Sequence, residues 1–160
     1  MDSRIVTLSE EKPLLVVFIR HLGCIFCKEM LAKLAETRSL IEAKGVGILI
    51  IHMGPEEEVH KLFESYNLGD VQTLLDKHRV LYKEFELEKG SLMDHFGPKV
   101  IYKAIIAFFN GSRQTKIQGN PYQLPGAFLV YKGQVKGSYV SVDAADIPDF
   151  RELIQTSHVP

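Results

Sequence analysis

The sequence predicts an α/β protein in which a central mixed sheet carries helices on both faces. Three observations lead there. The runs at 14–19 ("LLVVFI") and 46–53 ("VGILIIHM") are apolar, rich in branched residues and without alternation, as strands buried on both faces of a parallel sheet are. Segments with apolar residues at helical spacing follow each run, as with Val59, Leu62, Phe63 and Tyr66 at i, i+3, i+4 and i+7. Near the C-terminal end, "AFLVY" and "QVKGSYV" flank the turn Lys132-Gly133 as a hairpin.

The elements follow in order. Pro13 opens the first strand, Gly23 breaks it, and a helical pattern runs to about Lys44, where Gly45 stops it. After the second strand, Gly54 and Pro55 start a helix whose first turn, Glu56 to Glu58, suits the positive end of the macrodipole; Gly69 is expected to end it. "VQTLL" at 71–75 reads as a short strand, and Asp76 is placed to cap a helix carrying Leu81 and Phe85. The stretch 91–110 reads as a helix interrupted near Gly97-Pro98 and stopped at Asn110-Gly111, with a loop from there to the hairpin. A last helix is expected to start near Asp146-Ile147-Pro148 and to bury Ile147, Phe150 and Ile154. No repeat, low-complexity segment or Pro/Gly/Ser-rich linker divides the chain, so 1–160 reads as one domain with an elaborated insert at about 88–120.

The 19 basic and 20 acidic residues nearly cancel and form no block or stripe, which argues against nucleic acid or an anionic membrane as partner. The first twenty residues lack a basic start, and the apolar runs are far too short to span a bilayer, so a soluble cytoplasmic protein is expected. In that compartment structural disulfides are rare. This bears on the two cysteines, Cys24 and Cys27, which stand two residues apart in "RHLGCIFCKEM" at a strand-to-helix turn.

Cys27, Met30, Leu31, Leu34 and Ile41 fall on one helical stripe, so Cys27 should face the core. Cys24 stands one turn earlier, at the helix start, where it is expected to be accessible. A thiolate there is stabilised by unpaired backbone N–H groups and the macrodipole, which lower a thiol pKa from about 8.5 toward roughly 3.5–7.5 in such sites. Cys24 is therefore the expected nucleophile, and Cys27 the group that attacks its product and closes a disulfide. Against this stand two inert core thiols and half of a metal site. A CxxC at a strand-to-helix turn is a redox signature, whereas structural zinc needs about four soft ligands and the six histidines are scattered. No metal and no cofactor is expected; without a G-x-G-x-x-G, nicotinamide binding has no support.

Strand-helix-strand-helix, then hairpin and helix, is the order of a thioredoxin-like domain. "FIRHLGCIFCKEM" closely resembles the F-x-R-x-x-x-C-x-x-C-[RK]-E signature of the AhpC/TSA-type, peroxiredoxin-like 2 family, related to selenoprotein L. The likeness extends to "LLDKHRVLYKEFEL", where members have an Asp followed by a Tyr-containing helix, and the helix and strand at 55–75 resemble a peroxiredoxin insertion. The resemblance implies a thioredoxin-like (peroxiredoxin-like) fold with Cys24 and Cys27 as the active pair. It also implies antioxidant reduction of peroxides or disulfides, recycled by an external thiol reductant such as thioredoxin or glutathione; one branch of the family reduces prostaglandin endoperoxides. A homodimer is compatible with it. Ordinary peroxiredoxins carry Pro-x-x-x-Thr/Ser-x-x-Cys, but His21 stands three residues before Cys24, and Cys24 three before Cys27. The missing hydroxyl removes the argument for fast hydrogen peroxide turnover.

Three supporting residues, Arg20, Leu124 and Pro125, complete the expected site, and a few others are weighed beside them. Arg20, four residues before Cys24, either supplies positive charge to a thiolate or is a solvated charge at a strand end. Leu124 and Pro125 precede the hairpin where thioredoxin-like proteins place a cis-proline beside the CxxC with a backbone edge for substrate, so a cis Leu124–Pro125 bond is expected; Pro121 reads as an ordinary turn. His52 ends the second strand on the same sheet edge, as a proton carrier or, more simply, a satisfied structural histidine. Tyr102, Phe108, Phe109 and Tyr122 line an apolar pocket or dimer face, or, for the phenylalanines, pack in the core.

Overall fold

The computed structural model describes residues 1–87, 97–109, 123–143 and 145–156. Helix α1 (Ser3–Glu11) precedes β1 (Leu14–Phe18), α2 (Ile25–Ala43), β2 (Gly47–His52), α3 (Glu56–Glu64), β3 (Gln72–Leu75) and α4 (Val80–Glu84); α5 (Pro98–Phe109), β4 (Gly126–Tyr131), β5 (Gln134–Val140) and α6 (Phe150–Thr156) follow. The strands form one mixed sheet in the order β3-β2-β1-β4-β5. β1, β2 and β3 run parallel, while β4 lies antiparallel to β1 and β5 antiparallel to β4.

The unbroken apolar runs have their reason in this arrangement. β1 is central, and its alternate residues serve two cores. Leu15, Val17 and Ile19 face α2, α3 and α6, where Met30, Leu31, Leu34, Phe63 and Phe150 meet them. Leu14, Val16 and Phe18 face α1 and α4, against Ile5, Leu81, Tyr82 and Phe85. Phe18 sits among three rings, 5.0 Å from Tyr82, 5.1 Å from Phe85 and 5.7 Å from Phe128 between centroids. Tyr82 and Phe128 meet it edge-on, an arrangement that ring quadrupoles favour.

The hairpin turn at Lys132-Gly133 has positive φ at both residues (50° and 66°), the geometry that matches strand twist in two-residue loops. Gly45 leaves α2 at φ 73°. Three boundaries differ from the sequence reading. α1 was not expected; it is mostly polar and shows a single fully buried apolar side chain, Ile5, together with Ser9, whose hydroxyl accepts the Gly133 N–H at 3.1 Å. α3 stops at Glu64, and Asn67 rather than Gly69 takes the left-handed conformation (φ 58°). Gly69 meets another need: a Cβ there would stand 2.8 Å from Cγ of Glu64. α6 begins at Phe150, because the Asp149 carboxylate accepts the N–H groups of Arg151 (2.9 Å) and Glu152 (3.3 Å) as its cap. Of the expected insert, α5 is described, and 88–96 and 110–122 lie outside the described residues. Tyr102 is exposed on α5; the side chains of Phe108 and Phe109, and Tyr122, lie outside the described residues.

Replacing Phe18 by alanine should empty the centre of the aromatic cluster and cost about 3–5 kcal/mol in urea unfolding. Val142→Ala, at an exposed position, should cost less than about 0.5 kcal/mol. Equal effects would show that the second core is not built around Phe18.

Candidate active site

The C-terminal edge of the parallel strands, where open α/β sheets usually bind ligands, holds the candidate site. β1 ends at Phe18, but the Ile19 N–H still bonds to the Ile51 carbonyl at 3.1 Å, and His21 still bridges to the strand on the other side. A tight turn follows, closed by the Cys24 N–H on the His21 carbonyl at 3.1 Å. Cys24 is then the N-cap residue of α2, extended at φ −70°, ψ 126°, and Cys27 lies in the first helical turn.

Arg20 belongs to the thiol. Its Nη1 donates to Cys24 Sγ at 3.2 Å, and the side chain is 6 % exposed, so this is a buried charge and not a solvated one. The Cys24 pKa falls to about 6: a hydrogen bond from the Cys27 thiol lowers it most, the Arg20 charge and the backbone N–H groups of Cys27 and Phe26 add to that, and burial opposes them. The Cys27 thiol is pushed well above its usual range, first by burial and then by the neighbouring Cys24 sulfur. No disulfide joins Cys24 and Cys27, and both are buried. One helix start thus presents two thiols of opposite character, a thiolate at neutral pH and a protonated partner that donates to it. Lys28 is a second cation whose field reaches Cys24, with its own pKa lowered by burial.

The accessible Cys24 expected from sequence is a point to correct: it is 2 % exposed, like Cys27. The turn 21–23 folds Leu22 back into the same apolar cluster as Cys24 and Phe26, while the guanidinium takes the polar side of the sulfur. The loop after β2 presses on this turn, since a Cβ at Gly54 would stand 2.5 Å from Cδ1 of Leu22.

The expected cis bond is also corrected. No cis peptide occurs among the described residues, so Leu124–Pro125 is trans. The physical reason lies in the ladder. β1 and β4 pair with Phe18 opposite Gly126, and His21 and Gln123 are both bridge residues, so the register runs on through Ile19–Pro125 and Arg20–Leu124. An extended trans chain keeps that register. Leu124 and Pro125 are buried on the strand beside the one that leads into Arg20, with Gln123 Nε2 bonded to the Leu87 carbonyl at 2.8 Å.

His52 is 1 % exposed at the end of β2. Its Nδ1 lies 3.1 Å from the Gly54 carbonyl, which fits the tautomer with hydrogen on Nδ1, and burial lowers its pKa, so the ring is neutral. That bond ties the ring to the 52–54 turn through Nδ1, while its buried Nε2 has no hydrogen-bond partner among the described residues, so the histidine is only half satisfied. Among the described residues no group of three or more His, Cys, Asp or Glu side chains is arranged to hold a metal. No helix among them is long and apolar enough to cross a membrane.

The profile of the AhpC/TSA antioxidant enzyme family matches residues 33–145, more than half of the chain. The chain belongs to that family. The matched stretch begins within α2, beyond both cysteines, so membership rests on the scaffold and not on the thiols. A chloroplastic thioredoxin-like protein of Arabidopsis thaliana is 26% identical over 91% of this chain and 62% of its own length; the chain thus spans less than two thirds of that relative. A prostamide/prostaglandin F synthase of Danio rerio is 24% identical over 92% of this chain and 75% of its own length. Among solved structures, a peroxiredoxin 6 of Arenicola marina aligns with a TM-score of 0.62 at 11% identity, covering 94% of this chain and 61% of that one. The fold is therefore thioredoxin-like, of the peroxiredoxin type.

A residue that sequence reasoning left without a role is Tyr82. Its hydroxyl donates to the Ile19 carbonyl, one peptide from Arg20, and the Asp76–Tyr82 spacing noted in the family resemblance was its only signal.

The alkylation rate of Cys24 should fall as pH drops through about 6, because the thiolate is the reacting form and protonation removes it. Cys27 should remain unreactive until well into the alkaline range. Arg20→Met should raise the apparent Cys24 pKa by about one unit or more, as loss of an adjacent positive charge does. Peptide-resolved mass spectrometry after timed iodoacetamide labelling checks all three; equal rates at the two cysteines would contradict them.

Proposed function

We propose that this chain is a thiol peroxidase in which Cys24 reduces a peroxide and Cys27 resolves the product. The observation that carries this reading is the Arg20–Cys24 contact at 3.2 Å beside a protonated Cys27. The Cys24 thiolate attacks the distal peroxide oxygen; the O–O bond breaks, Cys24 becomes a sulfenic acid, and the other oxygen leaves as an alcohol after taking a proton. The Cys27 sulfur then attacks the Cys24 sulfur, a disulfide forms and water is released. An external dithiol such as thioredoxin, or glutathione, returns the pair to the reduced state through a mixed disulfide. The guanidinium has two uses in this sequence. It holds the nucleophile as an anion and offers a hydrogen-bond donor where negative charge grows on the departing oxygen.

Membership in an antioxidant family and the peroxiredoxin-type fold support the same reaction class. The prostaglandin synthase relatives extend the substrates worth testing to endoperoxides. There thiolate attack breaks the O–O bond to leave a Cys24 sulfenate ester and an alkoxide, protonated to a hydroxyl, on one molecule; attack by Cys27 then forms the disulfide and releases the diol. A protein-disulfide oxidoreductase without peroxidase activity and a redox-sensing module that oxidises once without turnover are the competing readings.

Steady-state consumption of hydrogen peroxide, an alkyl hydroperoxide and a lipid endoperoxide, coupled to thioredoxin and its reductase, separates them. Turnover is expected with at least one. Cys24→Ser should reduce it by about two orders of magnitude or more, and Cys27→Ser should permit a single turnover whose sulfenic acid is trapped by dimedone. Stoichiometric oxidation without turnover would favour the sensor, and insulin reduction without peroxide turnover the disulfide oxidoreductase.

A further inference from the structure

Resting on the thiolate reading above, we propose that Tyr82 is a positioning residue for the reaction, fixing the peptide from which Arg20 reaches Cys24, and that Asp76 aims it. The Tyr82 ring is fully buried in the second core, and its hydroxyl reaches the sheet edge. There it donates to the Ile19 carbonyl, with the Ile51 carbonyl 3.3 Å away. Both carbonyls belong to the place where β1 and β2 end. The Ile51 oxygen also accepts the Ile19 N–H at 3.1 Å. The Ile19 carbonyl shares a rigid plane with the Arg20 N–H and Cα, so holding the carbonyl fixes the point from which the Arg20 side chain starts.

The other end of the device is Asp76. α4 is only five residues long, its N-cap Arg79 is left-handed (φ 58°), and no side chain caps it from that position. Asp76 acts in its place. Its carboxylate accepts the N–H groups of Val80 at 2.9 Å, Leu81 at 2.8 Å and Tyr82 at 3.2 Å, while its own N–H bonds to the His52 carbonyl at 2.8 Å. The path from the end of β2 to the thiol therefore runs through hydrogen bonds and covalent geometry alone: His52 carbonyl, Asp76, Tyr82, Ile19 carbonyl, Arg20, Cys24 Sγ. A phenol kept merely to satisfy a buried hydroxyl would not need its backbone tied to the same sheet edge that its oxygen touches.

The charged and titratable groups that act on the thiol pair are Arg20 from the end of β1, the two thiols on each other, Lys28 from α2, and Tyr82 from α4; His52, at the end of β2, is bonded to the Gly54 carbonyl instead. Of these, Arg20, Cys27 and Lys28 interact with Cys24. Tyr82 interacts with Cys27, and burial keeps its phenol protonated. Loss of its hydroxyl thus removes no charge, and any effect on Cys24 has to come through geometry.

The test is a double-mutant cycle on the reduced full chain, read as the pH profile of Cys24 alkylation. Tyr82→Phe should raise the apparent Cys24 pKa by about half to one unit, which slows labelling by about three- to tenfold on the acid side, at about pH 5 and below, and by less than about twofold at neutral pH. In alkaline solution, where the thiol is fully ionised, it should change the rate by less than about twofold. In the Arg20→Met background, Tyr82→Phe should have no further effect, because the group it positions is gone. Asp76→Asn, which keeps the phenol but loosens the turn that aims it, should shift the profile in the same direction. An unchanged profile in Tyr82→Phe, or an equal change with and without Arg20, would overturn the proposal. So would loss of the fold in both Tyr82→Phe and Asp76→Asn, which would make the pair a requirement of the core. A normal Tyr82 cycle without peroxide turnover in the wild type would leave this inference standing and overturn the peroxidase reading, so the two fail separately.

Discussion

A guanidinium and a thiolate meet at 3.2 Å, both shut away from solvent, and much of the surrounding structure answers the demands of that contact. A buried charge is tolerable only when it is paired and hydrogen-bonded. Arg20 without an anion would be costly in this place. Cys24 as an anion would be equally so without the Cys27 thiol, the helix-start N–H groups and Arg20. The two charges stabilise each other, and the sequence spacing that allows it is short: one strand end, one three-residue turn, one helix start.

The sheet supplies the fixed reference for that geometry. β1 is the central strand, hydrogen-bonded on one side to β2 and on the other to β4, so it is held from both sides. Reduction chemistry then follows from electrostatics. Closing a Cys24–Cys27 disulfide would remove the anion to which Arg20 is paired. The contact therefore stabilises the reduced form over the oxidised one and biases the pair toward accepting electrons, as in other dithiols whose thiolate is stabilised. Burial sets a second condition: Cys24 is 2 % exposed, within the apolar cluster that also holds Leu22 and Phe26.

Much of this was legible in the sequence. The non-alternating runs gave the buried parallel strands, and the stripe from Cys27 to Ile41 correctly turned Cys27 inward, because periodicity reports which face is covered. The spacing of Arg20 and Cys24 suggested a contact without settling it. Three features were not legible. Burial of Cys24 depends on where the turn folds Leu22, which no local pattern encodes. α1 was missed although it is amphipathic: its nine residues are mostly polar, with Ile5 as their single fully buried apolar side chain. The trans Leu124–Pro125 bond follows from the β1–β4 register, a long-range property, while the expectation of cis came from analogy. Tyr82 falls between these cases: Asp76 was seen as a cap, but the oxygen that the helix delivers to the Ile19 carbonyl lies sixty-three residues away in the chain.

The most direct measurement is an NMR titration of reduced protein labelled at the cysteine Cβ carbons, followed from acid to alkaline pH. A Cys24 resonance that titrates near 6, with Cys27 unmoved until strongly alkaline solution, is what the thiolate–guanidinium contact predicts. Two carbons that titrate together in the ordinary thiol range, about 8.5, would contradict it.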